Sequence, residues 1–117
     1  MAEKVLEPKS QAFALRIVHL YKYLRKNGES VMSKQVLRSG TSIGANIAEA
    51  QYAQSRADFS TKLTIALKEA SETRYWLGLL MQSNYVPDDD TTRSLLSDCT
   101  ELIRLLVAST KTVQNKN

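Results

Sequence analysis

Seven residues, Phe59, Leu63, Ala66, Ala70, Thr73, Leu77 and Leu80, follow one another at spacings that alternate between four and three without a break. An α-helix turns once in about 3.6 residues, so this alternation holds all seven on one stripe, whereas the period of two in a strand would scatter them over both faces. A stripe of that length on a single rod must be covered by other helices. Sustained 4-3 spacing favours neighbours that lie side by side at a shallow angle.

Three further stripes supply those neighbours. Phe13, Ile17, Leu20 and Leu24 predict an amphipathic helix over about 9–27, opened by Pro8 and ended at Asn27-Gly28, because proline suits a first turn and glycine accepts the left-handed cap conformation. Val36, Gly40, Ile43 and Ile47 mark a second helix over 30–53, capped by Ser30 or Ser33. Ser55 and Asp58 stand at capping-box spacing before the third helix, 55–84, which breaks at Asn84. Pro87 and three aspartates open the fourth, 88–113, placing negative charge where the helix dipole is positive, with Leu95, Cys99, Leu102, Leu106 and Val113 as its stripe. Strand signals are absent. Four helices with short connections in a chain of 117 residues predict one all-α domain, an antiparallel up-down-up-down four-helix bundle. A helix-turn-helix reader is disfavoured, since it needs a short helix pair that crosses steeply.

The segment "LRSGTSIGANIAEAQ", residues 37–51, places glycine, serine and threonine in the middle of the second helix. A phosphate-binding loop needs a preceding strand and a lysine after its last glycine. Here Gly40 and Gly44 are four apart, no lysine follows and both flanks are helical, so that reading fails. The segment is expected to be a slim helix against which another backbone packs closely, with a kink at Ser39-Gly40 left open.

Composition narrows the remaining classes. No apolar run approaches the ~18 residues of a membrane span, no apolar leader precedes Pro8, and Cys99 is the single cysteine, so the expected setting is cytoplasmic, with neither a membrane nor an internal disulfide. The net charge of +4 is uneven: residues 8–48 carry +6 and residues 49–117 carry −1. Clustered basic charge attracts phosphates at long range. Lys22, Arg25, Lys26, Lys34 and Arg38 are the candidate nucleic-acid-binding residues, with Tyr21 and Tyr23 interleaved as possible stacking rings.

Other constellations point away from catalysis. Arg74 falls on the apolar side of the third helix beside Ala70 and Leu77, where a charge requires a partner, and Asn46 and Glu49 are expected to join it in a structural polar network between helices or between subunits. His19 is the single histidine, and no Glu-x-x-His pair accompanies Glu49, Glu69 or Glu72, so no metal, no cofactor and no enzymatic activity are expected. Cys99 belongs to a buried stripe. Leu15 and Val18 on the first helix, and Ile65, Trp76 and Leu79 on the third, form second apolar faces that a single bundle does not need. They are the candidate oligomer interface.

The run "SKQVLRSGTSIGANIAEAQYAQSRADFSTKLTIALKEASETRYWLGLL", with "FALRIVHLYKYL" before it, resembles the 23S ribosomal RNA intervening-sequence protein family and is similar to the accessory variability determinant of diversity-generating retroelements. The likeness covers about residues 10–86, and "RSGTSIGANIAEA" is its most specific motif. It implies an antiparallel four-helix bundle, a ring-shaped homopentamer and, in the retroelement branch, a basic surface that binds nucleic acid and a reverse transcriptase. Gly78 departs from the pattern, where relatives carry a larger residue such as Glu, and is expected to weaken the third helix locally. The functional expectation is a non-catalytic oligomeric scaffold whose basic surface binds nucleic acid, RNA before DNA, or a nucleic-acid-handling protein. The alternative is an assembly protein that docks a protein partner with no nucleic acid.

Overall fold

The computed structural model describes residues 2–115 as four helices, α1 (Ala2–Lys26), α2 (Met32–Ala50), α3 (Arg56–Gln82) and α4 (Asp90–Asn115). Each packs against its two neighbours around a ring, α1 on α2, α2 on α3, α3 on α4 and α4 on α1, in an antiparallel up-down-up-down bundle with extents of 47 × 22 × 19 Å. The all-α fold is therefore the one the periodicity predicts. Phe13, Ile17 and Leu24, the whole Val36-Gly40-Ile43-Ile47 stripe, Leu63 to Leu80 on α3 and the α4 stripe all lie in one buried core.

Local chemistry sets the helix ends. Gly28 takes φ +89°, and behind it Glu29 N–H donates to Leu24 O (2.9 Å) while Gly28 N–H donates to Arg25 O (3.2 Å), a Schellman turn that satisfies the last carbonyls of α1. Asn84 closes α3 in the same way at φ 66°, with Tyr85 N–H on Leu80 O at 3.0 Å. Ser55 Oγ accepts from Asp58 N–H (3.0 Å), the expected cap at the start of α3, while the Asp58 carboxylate accepts from Gln54 N–H (3.1 Å), one residue before the N–H that a full capping box engages.

Two starts differ from expectation. Pro8 lies inside α1 and does not open it. Leu6 and Ser10 are both buried and extend the 4-3 alternation backwards from Phe13, so packing holds the turn although Pro8 forfeits a hydrogen bond. At α2 neither Ser30 nor Ser33 is the cap. Val31 occupies that position without a side-chain bond, and the Glu29 carboxylate instead accepts from Val31 N–H (3.2 Å) and Ser33 N–H (2.6 Å). The Schellman turn places Glu29 just ahead of α2, where its carboxylate meets two of the helix's orphan donors.

The glycine-and-serine segment is helical from Leu37 to Ala50, with no interruption at Ser39-Gly40. Ser39 turns inward, where its hydroxyl shares a 2.9 Å hydrogen bond with that of Thr73 across the α2–α3 contact. Thr41 and Ser42 donate back to the carbonyls of Leu37 (2.7 Å) and Arg38 (2.6 Å), so their hydroxyls are engaged by the helix itself. Gly78 leaves α3 unbroken, and its Cα faces open space.

Candidate nucleic-acid interface

The end of α1 and the start of α2 meet at one end of the bundle, and this brings Lys22, Arg25, Lys26 and Lys34 together there, all four exposed. None of the four pairs with a carboxylate among the described residues. Arg25 leans back onto Tyr21, with its guanidinium 5.8 Å from the ring centroid and a nitrogen donating to the phenol oxygen at 3.1 Å.

Arg38 sits apart. It lies further along α2 and donates to Glu72 (2.5 Å) and Glu69 (3.4 Å) on α3, and Glu72 in turn accepts from Trp76 Nε1 at 2.9 Å. The indole N–H first, and then the guanidinium, hold the Glu72 carboxyl below the usual carboxylate range, and the same ion pair raises Arg38. Sequence reasoning missed this cluster, because i and i+4 spacing shows that Glu72 and Trp76 share a face but not which residue of α2 comes opposite.

The same end carries negative charge. Asp89 caps α4 by accepting from Thr92 N–H (2.9 Å), a bond that lowers its pKa, and Arg93 pairs with Asp88 (2.6 Å) and Asp90 (3.2 Å). The aspartates belong to α4 while Lys34 belongs to α2, which does not touch α4 in the ring. Lys34 is therefore set apart from the aspartates, whereas Lys22, Arg25 and Lys26 lie on α1, which does pack against α4.

The expected network of Asn46, Glu49 and Arg74 does not form within the chain. Glu49 accepts from Lys62 at 2.8 Å, which raises the lysine pKa, Asn46 donates to Ser42 O at 2.9 Å, and Arg74 is exposed. The rotation of α3 carries Arg74 past the edge of the buried stripe into solvent, so it needs no partner. The polar pair that does join α2 to α3 inside the core is Ser39–Thr73.

Of the second apolar faces, Leu15 on α1 is 58% exposed, with Val18 half-buried beside it. Ile65 on α3 is exposed, while Trp76 and Leu79 are half-buried. Tyr75, which belongs to none of the predicted stripes, is 62% exposed and packs edge-on to Trp76 with ring centroids 5.2 Å apart. Because α1 and α3 occupy opposite corners of the ring, the two patches face away from each other.

Among the described residues no group of His, Cys, Asp and Glu side chains is arranged to hold a metal ion, and no helix is long and apolar enough to cross a membrane. Cys99 Sγ–H donates to Ala70 O at 3.3 Å, and burial pushes its thiol up to about 12, far from a reactive thiolate.

Comparison with known proteins gives the family and leaves the activity open. No functionally curated protein matches the chain. A crystal structure of a protein of unknown function from the S23 ribosomal protein family, from Bacteroides thetaiotaomicron, is 55% identical and superposes with a TM-score of 0.90, over 95% of this chain and 99% of that one. The family model for the 23S rRNA-intervening sequence protein matches residues 5–108. With the four-helix architecture and nearly its whole length in that match, the chain belongs to the 23S rRNA-intervening sequence protein family.

Proposed function

We propose that the protein is a non-catalytic, self-associating scaffold whose basic end binds the phosphate backbone of nucleic acid, RNA before DNA. The observation that carries this reading is the group Lys22, Arg25, Lys26 and Lys34, drawn from two helices to one end and free of intramolecular carboxylate partners among the described residues. Solvated cations without internal partners release condensed counterions when they meet phosphates, which favours binding without much sequence preference. Arg38 contributes less, because its charge is already met by Glu69 and Glu72. Self-association is supported by the patches around Leu15 and around Ile65, Tyr75 and Leu79. Their placement on opposite corners suits a heterologous contact, the kind that closes into rings.

A salt titration of binding to a structured RNA tests the first part. The expected result is a log–log slope of about −0.9 per phosphate contacted, lost in the Lys22/Arg25/Lys26/Lys34 alanine variant and little changed by Arg38→Ala. Absence of wild-type binding at low salt defeats the reading. It would then favour the second one, an assembly protein that docks a protein partner with no nucleic acid, for which the exposed Leu15 and Tyr75 and the mixed charge of the basic end speak. Light scattering that finds only single chains at high concentration defeats self-association.

A further inference from the structure

A groove of about 360 Å³ opens between the second half of α1 and the start of α4, beside the basic end. Its floor is apolar, made by Leu20, Val86 and Leu95, and His19 and Tyr23 line its α1 side. Arg16 fixes its width by donating to Asp98 (2.7 Å), Ser94 (3.2 Å) and the carbonyl of Thr91 (3.1 Å), which ties α1 to the first turns of α4. Lys22 and Lys26 follow His19 and Tyr23 by three residues each, one turn along α1, and both are exposed.

We infer that this groove receives an unpaired nucleobase of a single-stranded nucleic acid, with the flanking phosphates held by Lys22 and Lys26. The inference rests on the phosphate-binding reading above and adds what that reading lacks, a reason to prefer single strands. The volume lies at the small end of the range for ligand pockets, about 300–1,000 Å³, which suits one planar ring system. The groove offers that ring an apolar floor and two flat side chains, of which Tyr23 is 45% exposed and available for stacking. Aromatic stacking of this kind accepts any base. Charge sets the polarity of the bound strand. Asp89 occupies the cap of α4, so that helix end does not take a phosphate, and its carboxylate at the groove repels one. The phosphates therefore turn toward the lysines, and the base edge with its N–H donors turns toward Asp89. A paired base, stacked inside a duplex, cannot enter.

Fluorescence anisotropy at low salt with the full chain tests this, using labelled strands of about 12 nucleotides: single-stranded RNA, the same sequence in DNA, a strand of abasic sites with equal phosphates, and a duplex. The expected result is that the single strands bind about tenfold more tightly than the abasic strand and the duplex. Tyr23→Ala should erase that margin and Tyr23→Phe should keep it, with helical content unchanged in both. A preference confined to RNA or to DNA identifies the source of the base and supports the groove equally. Equal binding of single, abasic and duplex strands overturns the base pocket and leaves the phosphate reading standing. A single-strand preference that survives both Tyr23→Ala and His19→Ala overturns the assignment to this groove. No binding of any strand overturns both readings together.

Discussion

Gly40 on α2 faces Ile17 on α1 so closely that a Cβ added to the glycine would stand 2.8 Å from both Cγ1 and Cγ2 of the isoleucine. Ile17 is fully buried and branched at Cβ, so its contacting atoms have little room to move. Gly44, one turn on, would place its Cβ 3.5 Å from the carbonyl and hydroxyl oxygens of Ser10, an ordinary contact, and Gly78 would meet nothing within 4 Å. Gly40→Ala should destabilise the bundle by about 1–3 kcal/mol through overpacking. Gly44→Ala and Gly78→Ala should be neutral or stabilise by up to about 1 kcal/mol through helix propensity. Urea denaturation of the three variants checks the difference in sign, and equal effects would refute the close α1–α2 approach.

Glu29 is buried, and its carboxylate supplies the capping bonds that Val31, at the cap position of α2, does not. Glu29→Ala should cost about 1–2 kcal/mol, the usual loss of an N-terminal cap, whereas Ser30→Ala should lie within about 0.5 kcal/mol of wild type. Thermal unfolding followed by circular dichroism separates the two.

Glu72 has its pKa lowered in the folded state by Trp76 and Arg38. A carboxyl depressed on folding contributes stability above its unfolded value, and that contribution is lost as the pH falls through the lower folded value. Glu72→Gln should therefore lower stability at neutral pH, with the gap from wild type narrowing once the pH drops below about 4. Trp76 is the single tryptophan, so its fluorescence should change over the same acid range in wild type and stay flat in the variant. A gap that is constant with pH would show that the pair contributes nothing through charge.

Cys99 should resist a thiol reagent at pH 8 in the folded protein, since it is fully buried and burial raises its pKa to about 12. Labelling should accelerate with denaturant in step with opening of the core. Rapid native labelling would mean that α4 detaches from α3 far more often than the packing allows.

Periodicity made the core legible because it is a local property: Val36, Ile43 and Ile47, or Leu63, Ala70 and Leu77, share a face in any helix they form. The Ser55–Asp58 cap and the Gly28 and Asn84 turns were legible for the same reason. The start of α1 was hidden by reading Pro8 as punctuation, although Leu6 and Ser10 continue the stripe through it. Of the candidate site, the sequence marked the exposed cations but not their fates: Arg38 engages Glu69 and Glu72, while Lys22 and Lys34 do not engage carboxylates.

The sequence by itself determined four amphipathic helices, their order and the residues each must bury, because hydrophobic spacing and turn chemistry act over a few neighbouring residues. Only the tertiary structure decided that Glu49 meets Lys62 and not Arg74, that Ser39 meets Thr73, and that a groove opens between Tyr23 and α4. Long polar side chains find partners according to the rotation and offset of adjacent helices, and those are fixed by how the whole core packs at once.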